Sequence, residues 1–391
     1  MRKIILMGLI LSLLSSGLTG CYNRVEMDDT VAVTGFGIDV DGEQKVIHLQ
    51  VASPSSKPEG GGTAKVETVV LKEKAPGYAQ AAREITLRFP RTPVWSLATT
   101  ILLGEQVARK DLDLMMDFVS RNRFIRPNML LFLAAGATPE EVLQVKTPPE
   151  NYSALALVKI IRGQESQSGI YLPVTLRDFR TKYVTAGIEP VLPQVKIEEA
   201  DGEKILCLQG VAVFRDRRMV GELNEKESRG LRILDPGEKR GGLVTVNLSG
   251  DTETGPLEDM VTMEIIRSRA RCTPSFNPDG TVEILIDIEA DGNLYEQTSA
   301  ENLQTTANLA RLEQLTSQAI KENALACIHK AQLLGSDIFG WGAMISRQNP
   351  ALWQQLKADW PAHFSDLQVQ AEVNYSVRRT YLIEAPVPIK N

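Results

Sequence analysis

A chain of 391 residues is too long for one hydrophobic core, since cores stop growing near ~250–300 residues; two or three domains are expected. Hydrophobic residues at 43% and charged residues at 24% fit a folded soluble body and exclude disordered and fibrous classes. A net charge of −6 argues against a nucleic-acid binder, and three histidines (His48, His329, His363) leave little for a metal site, so no cofactor is expected.

Arg2 and Lys3 precede an apolar run over residues 4–14, interrupted only by Gly8 and Ser12. The run is shorter than the ~20 residues a spanning helix needs, and it suits a signal peptide over residues 1–20. Leu18-Thr19-Gly20-Cys21 then resembles the bacterial lipobox, where small residues let a peptidase reach a Cys that is acylated and becomes the new N-terminus. The bland alternatives are an ordinary cleaved leader or a short membrane anchor. Loss of Arg2 and Lys3 takes the side-chain charge from −6 to −8, so overall charge does not draw the body to anionic lipid. At ~0.8 kcal/mol per buried CH₂, one acyl chain holds reversibly and two hold stably, which a diacylglyceryl group on Cys21 provides. Cys207, Cys272 and Cys327 remain, an odd number without Cys-x-x-Cys spacing, hence neither a disulfide framework nor a zinc site. Cys207 and Cys327 read as small buried hydrophobes.

An N-terminal mixed α/β domain is expected over 21–147. Residues 31–39 and 46–51 read as a hairpin about Asp41-Gly42. Gly35-Phe36-Gly37 lacks the third glycine of a nucleotide loop and reads as strand. Residues 53–64 form a Gly/Ser/Pro-rich loop, 65–71 a strand, and 77–89 a helix with Tyr78, Ala81, Ala82, Ile85 and Phe89 on one face. A buried strand over 96–103, a helix over 111–120, an apolar strand over 129–135 and a helix capped by Thr138 complete the unit. Pro148-Pro149 opens a middle segment, 148–200, with helices over 151–164 and 175–185 and a strand over 194–199. It is read as part of a second domain.

The C-terminal α/β domain is expected over 201–391. It holds strands over 209–214 and 219–223, a helix over 225–234 capped by Asn224, and two antiparallel strands over 261–271 and 281–290. A long amphipathic helix spans 303–334, stopped by Gly335, and a strictly alternating strand spans 367–377. The expected fold class is α+β: three mixed α/β units, with a C-terminal antiparallel sheet packed on the long helix.

No Gly-x-Ser-x-Gly elbow, His-Glu-x-x-His or Walker loop is present, so no catalytic residue is assigned. The acidic pairs Asp28-Asp29, Glu140-Glu141 and Glu198-Glu199 read as solvated faces or helix-dipole complements. Arg267, Arg269 and Arg271 alternate. They read either as solvated charge or as one sheet face that touches anionic lipid or a partner. Phe339 and Trp341, in Asp337-Ile338-Phe339-Gly340-Trp341-Gly342, either fill the gap between helix and sheet or form a docking patch.

Four stretches in order resemble the C-subunit family of bacterial spore germinant receptors, Ger(x)C. They are Gly20-Cys21-Tyr22-Asn23-Arg24-Val25-Glu26 with Val33-Thr34-Gly35-Phe36-Gly37-Ile38-Asp39; Gly210-Val211-Ala212-Val213-Phe214 with residues 219–230; the Asp337–Gly342 motif; and Trp353 and Trp360 before the last strand. Tyr22 stands where the family often has Trp. The resemblance implies a non-catalytic lipoprotein on the outer face of the spore inner membrane, beside integral-membrane A- and B-type subunits of a nutrient receptor. The second reading is a lipid-anchored solute-binding protein of an importer, which predicts two similar βαβ lobes around a cleft.

Overall fold

The computed structural model describes residues 29–52, 68–249, 259–278, 281–299 and 301–379, with Arg2, Ile5 and Glu26. Cys21 and the 53–64 loop lie outside the described residues.

The first sheet is built in chain order from β1 (Thr30–Asp41), β2 (Gln44–Ala52), β3 (Thr68–Ala75), α1 (Tyr78–Glu84), β4 (Thr92–Val94), β5 (Thr100–Gly104), α2 (Leu112–Arg121), β6 (Leu130–Ala134), α3 (Pro139–Gln144), α4 (Ser153–Ser166), α5 (Leu176–Val184), β7 (Val191–Ala200), β8 (Glu203–Arg215) and β9 (Arg218–Leu223). The strand order is β3-β2-β1-β5-β6-β7-β8-β9, with β4 also on β1. The central pairs β1–β5, β5–β6 and β6–β7 are parallel, and the outer pairs are antiparallel. The sheet continues past residues 147 and 200, where domain boundaries are expected, and ends only at Leu223.

Burial on both faces explains why the central strands are apolar throughout. Leu102, Phe132, Val211 and Val213 point into one core, while Ile101, Leu103, Leu131, Leu133, Ala212 and Phe214 point into the other. That is the period of two of a strand, shared between two layers. The second of these cores is closed by α1 and α2. The single strand expected over 96–103 is instead a short β4, a 3₁₀ turn at Trp95–Leu97 and then β5. Trp95 turns inward onto Phe36, with ring centroids 5.1 Å apart, and this contact breaks the strand.

The second sheet follows α6 (Glu225–Leu234). Its strands are β10 (Glu238–Lys239), β11 (Leu243–Asn247), β12 (Met260–Phe276) and β13 (Val282–Gln297). Next come α7 (Thr306–Leu333), three short helices α8 (Trp341–Gln348), α9 (Pro350–Leu356) and α10 (Trp360–Asp366), and the last strand β14 (Gln368–Arg379). The order is β10-β12-β13-β14, with β11 on β12. This sheet is antiparallel except for β14, which pairs parallel to β13 because α7 carries the chain back to the starting end. Along α7, Leu312, Ala319, Ile320, Ala324, Cys327 and Ala331 are buried in one core with Ile284, Ile286 and Ile288 of β13. That core is continuous with one face of the first sheet. The fold is therefore α+β, with the long helix packed on the second sheet as the sequence leads one to expect.

Candidate functional site at the junction of the two sheets

The C-terminus of α7 meets the first sheet. Gly335 takes a left-handed φ of +60° and closes a Schellman turn: Gly335 N–H donates to Gln332 O and Ser336 N–H to Ala331 O, both at 3.0 Å. The turn is fastened to β8 from both sides. Arg215 Nη1 donates to Leu334 O at 2.8 Å, a cation at a helix C-terminus, and Ser336 Oγ donates to Phe214 O at 2.5 Å.

Asp337 comes next and is almost fully buried. Its carboxylate accepts from Gly340 N (2.8 Å), Trp341 N (3.1 Å), Gly342 N (2.7 Å) and Trp360 Nε1 (3.1 Å). The left-handed φ of +79° at Gly340 folds those three amides around one carboxylate at the start of α8. Burial pushes Asp337 up to about 6, against the downward pull of the four donors. Its main-chain carbonyl accepts from Glu189 N at 2.8 Å, and Gly187 O accepts from Ala343 N at 2.9 Å. Burial pushes the Glu189 carboxyl to about 7, although Asp216 N–H donates to it. The segment between α5 and β7 thus interlocks with the segment between α7 and α8.

The contact is tight enough to exclude a side chain. A Cβ on Gly342 would stand 2.7 Å from Trp360 Cε2 and 2.8 Å from Gly187 Cα. Gly342→Ala is expected to lower stability by about 1–3 kcal/mol through overpacking, measured by urea unfolding; an unchanged midpoint would mean the junction is looser than described.

Phe339 and Trp341 are interior residues. Their rings stack at 4.7 Å, and Trp341 lies 5.6 Å from Phe364, while Trp353 and Trp360 pack edge-on at 5.2 Å. Trp341 is 0% and Phe339 8% exposed, so of the two sequence readings the gap-filling one describes them and the docking patch does not. Helices α8 to α10 supply this cluster and were not expected, because each is short and two carry a proline in the first turn.

Arg267, Arg269 and Arg271 do share one exposed face of β12. Each stands opposite an acid of β13: Arg267 by Asp291, Arg269 by Glu289 and Arg271 by Asp287. Arg267 Nη2 reaches Asp291 Oδ2 at 2.7 Å. Acids thus stand across the strand pair from all three, and Arg267 is the one of them in an ion pair among the described residues.

A cleft of about 420 Å³ opens between β8, β9, the start of α6 and Lys330 of α7. Gly210, Glu222, Asn224, Glu225 and Glu227 line it, bringing the two halves of the second sequence stretch together. Its acids are engaged: Glu227 and Asn224 form a capping box, Glu225 pairs with Arg229, and Glu222 accepts from Gln194. Cys207 is half-buried at this cleft, not in the core, whereas Cys327 is fully buried.

Sequence reasoning missed the roles of Asp337 and Glu189. For Asp337 the signal is present, a carboxylate followed three and five residues later by glycines whose amides can fold back on it. Glu189 gives no such signal, since its partners lie far along the chain.

This architecture, two dissimilar sheets locked through the end of one long helix, shows among the described residues no pair of similar βαβ lobes of the kind a solute-binding protein calls for. Its fold is that of the crystal structure of the GerBC protein, with a TM-score of 0.56 at 19% identity, covering 88% of this chain and 96% of that one. The family model described as spore germination protein N-terminal domain matches residues 23–197, and that described as spore germination B3/GerAC like, C-terminal, matches residues 209–381. Spore germination protein KC of Bacillus subtilis (strain 168) is 21% identical, covering 95% of this chain and 94% of that protein. Spore germination protein GerQC of Bacillus cereus is 20% identical, covering 95% and 98%. The chain belongs to the Ger(x)C family of spore germination proteins.

Proposed function

We propose that this chain is the lipid-anchored, non-catalytic C subunit of a spore nutrient germinant receptor, held on the outer face of the inner spore membrane beside integral A- and B-type subunits. The observation that carries this reading is the match of two spore germination family models, in order, over residues 23–197 and 209–381. The Leu18-Thr19-Gly20-Cys21 motif supports the anchor. The interlocked junction supports a scaffold: two sheets fastened through the end of one helix present one surface, and the anchor raises its effective concentration beside its partners. Affinity purification of the tagged chain from detergent-solubilised spore membranes is expected to bring down two integral membrane proteins in constant ratio. Recovery of the chain alone, from membranes in which those proteins are intact, would count against the assignment.

A further inference from the structure

β1 begins at Thr30, so the segment bearing Cys21 joins the body at the end of the first sheet where β1 starts. β4, β5 and β6 run parallel in register from that end: Thr30 lies beside Thr92, Gly35 beside Thr100, and Thr100 beside Leu130. The segments leading into these strands, residues 85–98 and 120–129, therefore gather at the same end. Together they hold five arginines and no Asp or Glu, in a chain of net charge −6. Arg88 and Arg121 pair with Glu73 and Asp117. Arg91, Arg123 and Arg126 have no ion pair among the described residues. Large apolar side chains stand out among them: Leu87 is 80%, Leu97 52% and Phe124 50% exposed. The Arg123 guanidinium lies 4.7 Å from the Phe124 ring centroid, an apolar body with a charged tip, as suits a water–lipid boundary.

Tether length adds a constraint. The eight residues from 22 to 29 span at most ~28 Å fully extended. A body of this size has a radius of gyration of ~20 Å, hence a diameter well beyond that reach. An anchor at Cys21 keeps this end of the body near the bilayer.

We infer that the end of the first sheet where β1 begins is a membrane-contact face, on which Arg91, Arg123 and Arg126 meet anionic lipid headgroups and Leu87, Leu97 and Phe124 enter the headgroup layer. This rests on Cys21 as the anchor. Unlike Arg267 of β12, which pairs with Asp291, these three have no ion pair among the described residues. The acyl chains hold the protein, and the face orients it. Each arginine at an anionic surface contributes roughly fivefold in partitioning, too little to hold the body alone but enough to fix one presentation of it to integral partners.

The test separates face from anchor. The mature chain from residue 21, with Cys21→Ala and no lipid, is titrated with phosphatidylglycerol vesicles at low salt. Weak, salt-sensitive partitioning is expected, falling roughly a hundredfold in Arg91→Gln/Arg123→Gln/Arg126→Gln. Equal partitioning of the two proteins, or equal binding to phosphatidylcholine, overturns the face. Thermal melts that coincide show the variant is folded. The lipidated chain, in vesicles containing a photoactivatable lipid, is expected to cross-link within residues 85–98 and 120–129 and not near Gly42 or Gly136 at the other end of the strands. Cross-links concentrated elsewhere overturn the face while leaving the anchor standing. Loss of the lipidated chain from phosphatidylcholine vesicles sinks the anchor instead, and the arginine titration still decides the face.

Discussion

Asp337→Asn is expected to destabilise the protein by about 3 kcal/mol at pH 7, read as a lower urea midpoint with unchanged slope. The carboxylate holds four N–H donors inside the protein, three from the backbone and one from Trp360. An amide keeps one acceptor oxygen and turns an NH₂ group toward the others. At least one donor is then buried without a partner, and charge-assisted bonds worth ~1.5–3 kcal/mol each are lost. The pH dependence has a definite sign. Burial raises the folded value from 3.8 to about 6, so between those values the folded state binds more protons than the unfolded one. That contribution to stability is fully present below about 4 and is lost as pH rises through about 6. An amide at this position does not titrate and cannot make it, so the penalty of the substitution grows as pH falls from 7 to 4. His48, buried and lowered to about 4, is common to both proteins and cancels in the difference. Glu189 is raised to about 7 by burial and partly by the Asp337 charge, so its value falls in the variant and its lost contribution in acid adds to the penalty with the same sign. A penalty that shrinks in acid would show that the four donors outweigh burial and hold Asp337 below its ordinary range.

Replacing Cys21 by Ala, behind a leader removed by ordinary signal peptidase so that no apolar segment remains, is expected to move essentially all of the protein from the membrane fraction to the soluble one. Nutrient-triggered germination should fall with it. Two acyl chains at ~0.8 kcal/mol per buried CH₂ supply the attachment, and nothing in an acidic body replaces them. Mass spectrometry of the wild-type amino-terminal peptide should show a thioether-linked diacylglyceryl group on Cys21. Full membrane retention of the variant, with normal germination, would remove the anchor from the mechanism.

The candidate site was legible in part. The Asp337–Gly342 motif stood out in the sequence by composition, but its direction was ambiguous. Aromatics beside glycines suit an interface and an interior equally, and only the α8–α10 helices, which wrap Phe339 and Trp341, decide for the interior. The arginines of β12 show the same limit. Alternation placed them correctly on one face, yet their acidic partners sit on another strand, at positions set by the hairpin register. The arginines near the start of β1 are separated by some thirty residues, and only parallel pairing gathers them.

Local patterns determined much of this protein. Capping boxes at Thr138, Thr175 and Asn224 fixed three helix starts, the β1–β2 turn fixed a hairpin, and the apolar period of α7 fixed its buried face. Each of these depends on residues a few positions apart, so the chain itself contains the signal. Tertiary structure alone decided that one sheet runs unbroken from residue 30 to 223, that β14 returns parallel, and that two glycine-containing turns more than 150 residues apart interlock over a buried carboxylate. Those outcomes follow from which surfaces bury one another, and burial is a property of the assembled body, not of any short segment of sequence.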